Sequence, residues 1–401
     1  MKIAVYHSLH SGGARRTLFE QVKRLSCRHH IDLFSLSSAE HTFGDLHPYV
    51  VRSSIYKFEP YPLFSSPFGR LNQAIRTFDL VRLREVARQM ADEIDAERYD
   101  VILVHPCRYT QSPWLLQFVS TPTVYYCHEP FRLLYEPRPW RPYAQRTTWQ
   151  QALDAIDVLE KFYRSILRWI DQSSLRKATL VLTNSQFTQQ SIQHVYGVKS
   201  LVCYHGVDTD TFHPLELSSN GTVLSVGALT PVKGFDFVIE GLATIPVAQR
   251  PRLILISNYQ EAGERAYLEN LARERGVKVM FHTLVDDERL VKLYNQAALT
   301  AYAPIREPFG LVPLESMACG TPVVGVREGG VRETVLDRQT GILVDRDPEE
   351  FGQAVRTLLE DEELAGRYGA QGREHVVEKW TWERAVQKLE KHLLSVAAEA
   401  K

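Results

Sequence analysis

The stretch APIREPFGLVPLESMACGTPVVGVREGGVRETVLDRQTGILVD, residues 303–345, runs through strand, loop, helix, strand, turn and strand in one pass. It opens on the end of the apolar run LTAYAP (299–304), continues as LVPLESMACG, and returns as PVVGV (322–326) and GILVD (341–345). Short apolar strands separated by helical periodicity are the pattern of βαβ units in a parallel sheet. Pro304 and Pro308 predict an extended segment after the first strand, Gly310 permits close backbone approach, and Pro313 fits only the first turn of a helix that starts near Leu311. Glu307 and Glu315, with seven residues between them, then stand at the loop mouth and about a turn inside the helix. The free N–H groups and positive dipole end of that helix suit a diphosphate, and the two carboxylates can reach different hydroxyl groups of one extended ligand.

The same alternation extends in both directions. The first half offers IAVYH (3–7), IDLFSL (31–36), DVILVH (100–105), TVYYCH (123–128), ATLVLTNS (178–185) and SLVCYH (200–205). The second adds TVLSVG (222–227), RLILIS (252–257) and VKVMFH (277–282). Between the halves, HGVDTDTFHPLELSSNG (205–221) loses apolar periodicity and gains Gly, Pro, Ser and Asn. The expected division is a first doubly wound domain over 1–208, a linker at 209–220, a second domain over 221–380, and a last helix at 381–401. That helix carries apolar residues at helical spacing and is expected to return to the first domain. Ligands of such sheets bind outside the carboxyl ends of the strands, which puts the main site in the cleft.

The chain has 401 residues, 44% apolar and 24% charged, with a formal net charge of −1. That is ordinary globular composition, with no global argument for nucleic-acid binding. Cys27, Cys107, Cys127, Cys203 and Cys319 have no zinc-binding spacing and read as free thiols in a reducing cytoplasm. No apolar stretch approaches the roughly 20 residues that span a bilayer, so the expected location is cytoplasmic, with any membrane contact peripheral, at the inner face. Residues 131–177 are the candidate for that contact. They hold Trp140, Trp149 and Trp169 and nine Arg/Lys, including Arg132, Arg141 and Arg146, against five acids.

The segment VLSVGALTPVKGFDFVIEGL (223–242) reads as strand, loop and helix, with Lys233 a single cation where a phosphate can bind. It is not a P-loop, and no G-x-G-x-x-G follows the first strand, where Gly12 and Gly13 make the turn. Asp208-Thr209-Asp210 reads as turn chemistry and no metal is invoked.

These motifs together resemble the retaining, nucleotide-sugar-dependent glycosyltransferases of family 4, with the GT-B fold of two facing Rossmann-like domains. The likeness rests on SGGARRTLFE after the first strand, the VGALTPVKG loop, the E-x7-E segment with MACGTPVV, and EGGVRETV with TGILV. YYCHEP (125–130) and LVLTNSQFT (180–188) also resemble mannosyltransferases acting on polyprenyl-linked oligosaccharides. The resemblance implies that Glu315 meets the nucleotide ribose and Glu307 the transferred sugar. Phe309, Gly310 and Leu311 would offer backbone N–H groups, Lys233 would neutralise the leaving diphosphate, and His128 would hydrogen-bond the sugar. Gly12 and Gly13 would let the first loop approach phosphates and acceptor. It implies a hexose donor, GDP-mannose or UDP-glucose, a saccharide or lipid-linked acceptor, and no cofactor. One departure is Ala228, where the family usually has an arginine; Arg306 and Arg327 are the nearby substitutes. The competing readings are a non-catalytic nucleotide-sugar-binding subunit and another GT-B enzyme, such as an epimerase or a phosphorylase.

Overall fold

The computed structural model describes residues 1–65, 68–144 and 157–399. Strands β1 (Lys2–Ser8), β2 (His30–Leu36), β3 (Arg52–Tyr56), β4 (Val101–Cys107), β5 (Thr123–Cys127), β6 (Leu180–Thr183) and β7 (Leu201–Val202) form one sheet in the order β3-β2-β1-β4-β5-β6-β7. Strands β8 (Thr222–Val226), β9 (Leu253–Ser257), β10 (Val279–Thr283), β11 (Ala297–Tyr302), β12 (Val323–Val326) and β13 (Gly341–Val344) form a second, β10-β9-β8-β11-β12-β13. All neighbours within each sheet pair in parallel. In each sheet the order reverses after its third strand, at β1/β4 and at β8/β11, so the crossovers leave on opposite faces and a crevice opens at the strand carboxyl ends.

Both faces of each sheet are covered, which is why the strands read as continuous apolar runs. Ile3 and Val5 of β1 pack with Leu18, Val22 and Leu25 of the helix Gly13–Leu25, whereas Ala4 and Tyr6 pack with Met90 and Ile94 on the other side. Some helix starts carry side-chain caps: the Ser185 hydroxyl accepts from the Thr188 N–H at 2.9 Å and Asp286 from the Arg289 N–H at 2.8 Å. Edge strand β3, RSSIY, has only partly covered residues, so it carries no apolar run and the sequence pattern misses it.

Two passages join the sheets and run side by side. The Val207 N–H donates to the Trp380 carbonyl at 2.8 Å, and Val207 and Thr381 form a parallel bridge. A side chain at Gly206 would lie 2.4 Å from the Trp382 nitrogen, so only glycine lets the strands of this double hinge touch. The last helix, Trp382–Glu399, places Val386, Leu389, Leu393 and Val396 in the same cluster as Ile3, Val5, Leu103 and Val124 of the first sheet.

Candidate active site

The loop between β11 and the helix Leu311–Ala318 is folded more tightly than the two prolines suggest. Instead of running extended, it turns at Ile305–Arg306, with Arg306 at φ 48°. The turn is tied on both sides: the Ile305 N–H donates to the Val232 carbonyl at 2.8 Å, and the Glu307 carbonyl accepts from the Gly330 N–H at 2.8 Å. Side chains at Gly329 and Gly330 would strike the Glu307 and Pro308 carbonyls at 2.2 and 2.3 Å, which is why a glycine pair follows β12. Glu307 thereby faces Lys233, whose Nζ donates to both carboxylate oxygens at 2.8 and 3.0 Å. Burial alone would raise the Glu307 carboxyl, but Lys233 and then Arg132 outweigh it and hold it below the usual range, ionised.

Gly310, at φ 101°, starts the helix that carries Glu315, which is 6% exposed. Glu315 accepts from Arg16 Nη1 and from the Tyr294 hydroxyl, each at 3.0 Å. Arg16 reaches across from the helix Gly13–Leu25, also donates to Asp287 at 2.5 Å, and lies over the Phe212 ring. Burial raises the Glu315 carboxyl, with Arg16 and Tyr294 opposing it.

Gly12, at φ 144°, precedes this helix with open space where a side chain would be, and a side chain at Gly13 would meet Leu311 Cδ1 at 3.5 Å. The glycine turn of the first sheet and the helix start of the second therefore face each other. Phe309 is packed inward, its ring 5.0 Å from His205 and 5.6 Å from Trp380, which leaves its backbone as the part a ligand can meet. His128, just past β5, is buried; desolvation pushes its imidazole down to about 3, so it is neutral near pH 7. Asp208 accepts from the Asp210 and Thr211 N–H groups at 3.1 and 3.2 Å, as a turn residue does.

The two substitutes named for the arginine missing at Ala228 are engaged elsewhere. Arg327 bonds Asp337 at 3.0 Å and the Leu343 carbonyl at 2.5 Å, and Arg306 is half exposed beside Glu136. A cation that does reach the Glu307 turn is Arg132, from the first domain. It donates to Glu129 at 2.6 Å, to the Ile305 carbonyl at 3.2 Å and to the Arg306 carbonyl, clamping the turn that holds Glu307. Arg141 acts similarly on the Lys233 loop: it donates to the Pro231 carbonyl at 3.2 Å and pairs with buried Glu264 at 3.0 Å and Asp236 at 2.9 Å. Part of the basic content of 131–177 thus bridges the domains, while Trp140 and Trp169 are exposed; Arg146 and Trp149 lie outside the described residues. Arg16, Arg132, Arg141 and Tyr294 left no local signal, because their partners lie far away in the chain.

Residues 11–211, half of the chain, match the family model Glycosyltransferase Family 4, and residues 208–375 match Glycosyl transferases group 1. Over 206 residues the chain is 35% identical to D-inositol 3-phosphate glycosyltransferase of Acidothermus cellulolyticus, covering 46% of each protein. It is 27% identical over 270 residues to the human alpha-1,3/1,6-mannosyltransferase ALG2, covering 59% of this chain and 63% of that protein. The chain therefore spans about half to two thirds of the length of these curated relatives. Among solved structures, sucrose-phosphate synthase of Thermosynechococcus elongatus superposes with a TM-score of 0.73 at 20% identity, over 99% of both chains. Anabaena HepE in complex with UDP and glucose gives 0.70 at 21% identity, over 98% of this chain and 100% of that one. Two parallel sheets facing across a cleft, Glu307 and Glu315 on one loop-helix unit, and a family model matching half of the residues agree: the chain belongs to glycosyltransferase family 4, with the GT-B fold.

Proposed function

We propose that this protein is a retaining hexosyltransferase that moves mannose or glucose from a nucleotide diphosphate to an acceptor hydroxyl in glycan or glycolipid assembly. The observation that carries the reading is the Lys233–Glu307 pair at the mouth of the helix that buries Glu315. In this mechanism the bond from the sugar's anomeric carbon to the diphosphate oxygen breaks as the acceptor oxygen bonds that carbon from the same face. The acceptor proton passes to the departing phosphate oxygen. Lys233 and the N–H groups at Leu311 meet the growing charge on the diphosphate, and no metal is invoked. Glu307 orients the sugar and faces the positive charge developing on its ring. Ribose hydroxyls take the place of Arg16 on Glu315.

Glu315→Ala should weaken nucleotide binding about ten- to a hundredfold, the loss of charge-assisted hydrogen bonds worth about 1.5–3 kcal/mol. Calorimetry with UDP and GDP checks this, and unchanged affinity removes Glu315 from the site. A thermal-shift screen of UDP, GDP and their sugar conjugates, followed by turnover of GDP-mannose and UDP-glucose, tests the whole reading. Binding without turnover of either donor would reduce the protein to a nucleotide-sugar-binding subunit.

The acceptor side is proposed to meet a membrane. Val158, Phe162 and Trp169 are exposed along the helix Val158–Leu175, with Arg168 beside them. Leu71, just before the helix Asn72–Ala96, and Phe78 and Val81 along it are exposed, and this helix packs against the first. Among the described residues no helix is long and apolar enough to cross a bilayer. Flotation with anionic vesicles at low salt should carry the protein upward, each surface Lys/Arg contributing about 1 kcal/mol. Failure to float would end the peripheral-membrane reading.

A further inference from the structure

Beneath the site lies a group of buried imidazoles that the mechanism above does not use. His105, on β4, is wholly buried, its ring parallel to that of Tyr126 at 5.7 Å. Its Nε2 is 3.0 Å from Gln21 Oε1 and its Nδ1 is 3.3 Å from His128 Nε2. Gln21, 2% exposed, projects from the helix that follows the glycine turn.

The geometry points to a relay of hydrogen bonds, from Gln21 through His105, that fixes His128 in one tautomer and makes its Nδ1 a pure acceptor for the sugar. An amide oxygen can only accept, so His105 must carry its proton on Nε2. A neutral imidazole has one donor and one acceptor, so His105 Nδ1 is bare and accepts from His128 Nε2–H. Burial holds both rings neutral by pushing His105 well below its ordinary value and His128 down to about 3. His128 Nδ1 is then left with a lone pair, and among the described residues nothing hydrogen-bonds to it. The neighbouring His205 is fixed the opposite way. The Tyr126 hydroxyl donates to the Cys203 carbonyl, so its oxygen accepts from His205 Nδ1–H at 3.1 Å.

The consequence for substrate rests on the transferase reading above. A sugar hydroxyl at this point donates to His128, whereas a carboxylate would set lone pair against lone pair. The relay therefore selects a neutral hexose over a hexuronate, with Gln21 and His105 as positioning residues.

Nitrogen-15 spectra of histidine-labelled protein without any donor test the relay, with His128→Asn used to assign the signal. His105 and His128 should show protonated Nε2 and bare Nδ1, and His205 the reverse, as an internal control. Gln21→Glu, whose ionised carboxylate only accepts, as the Gln21 oxygen does, should preserve the pattern, and Gln21→Leu should convert His128 to a mixture of tautomers. A protonated Nδ1 on His128 in the native protein, or an unchanged His128 signal in Gln21→Leu, would overturn the proposal. Because the readout needs no turnover, its failure is separable from failure of the transferase reading.

Discussion

Replacing Glu307 with glutamine should lower kcat by about 10²–10³, the effect of deleting one preorganised electrostatic group, with little change in nucleotide affinity. The substitution keeps the shape of the side chain and the backbone turn, because that turn is held by the Glu307 carbonyl on Gly330 and by Arg132 on the Ile305 carbonyl. What it removes is the charge that Lys233 and Arg132 keep ionised. The ribose site is left alone, since Glu315 lies on the helix beyond and takes its bonds from Arg16 and Tyr294. Steady-state transfer, set beside calorimetric binding of the nucleotide, separates these contributions. Native turnover in Glu307→Gln would leave the residue as a loop carboxylate that pairs with a lysine.

Mild acid should destabilise the protein by about 5 kcal/mol between pH 7.5 and 5.5. His7, His105, His128 and His205 are all buried, and burial holds each imidazole below its ordinary value. In the unfolded chain each takes up a proton below about 6.5, while in the folded protein it stays neutral to much lower pH. The unfolded state then binds more protons, and stability falls as pH drops through 6.5. Each group contributes about 1.4 kcal/mol per pH unit there, and four together take a large share of the roughly 5–15 kcal/mol that holds a domain folded. Glu307, depressed, acts in the same direction at lower pH; Glu315, raised, acts against it. Urea midpoints at the two pH values check the effect, and equal midpoints would mean that the histidines are already charged in the fold.

Most strands legible in the sequence are buried on both faces, where packing forces a run of Val, Ile and Leu, as in β9, while the partly covered edge strands β7 and β10 were legible because they still carry short apolar runs. The edge strand β3 stayed hidden because its residues, RSSIY, form no apolar run. The site was legible to the extent that its residues share a local unit. Glu307, Gly310 and Glu315 lie within one loop-helix pair, and Lys233 within one turn. Arg132 and Arg141 look, in sequence, like surface residues of an aromatic, basic stretch; only the meeting of the two sheets turns them toward Ile305 and Glu264. The turn at Arg306 was likewise invisible, since it is set by Val232 and Gly330, from two other loops.

The return of the last helix to the first sheet limits how the molecule can be divided. A protein cut in the linker near 210 would yield a first half lacking Val386, Leu389, Leu393 and Val396, with the apolar layer around Ile3, Val5, Leu103 and Val124 open to water. Its natural cover, residues Trp382–Glu399, would be left on the other fragment, where that face has no partner. The halves are thus reciprocal fragments rather than independent modules. Each presents the surface the other needs, so co-expression should recover by complementation what separate expression loses to aggregation.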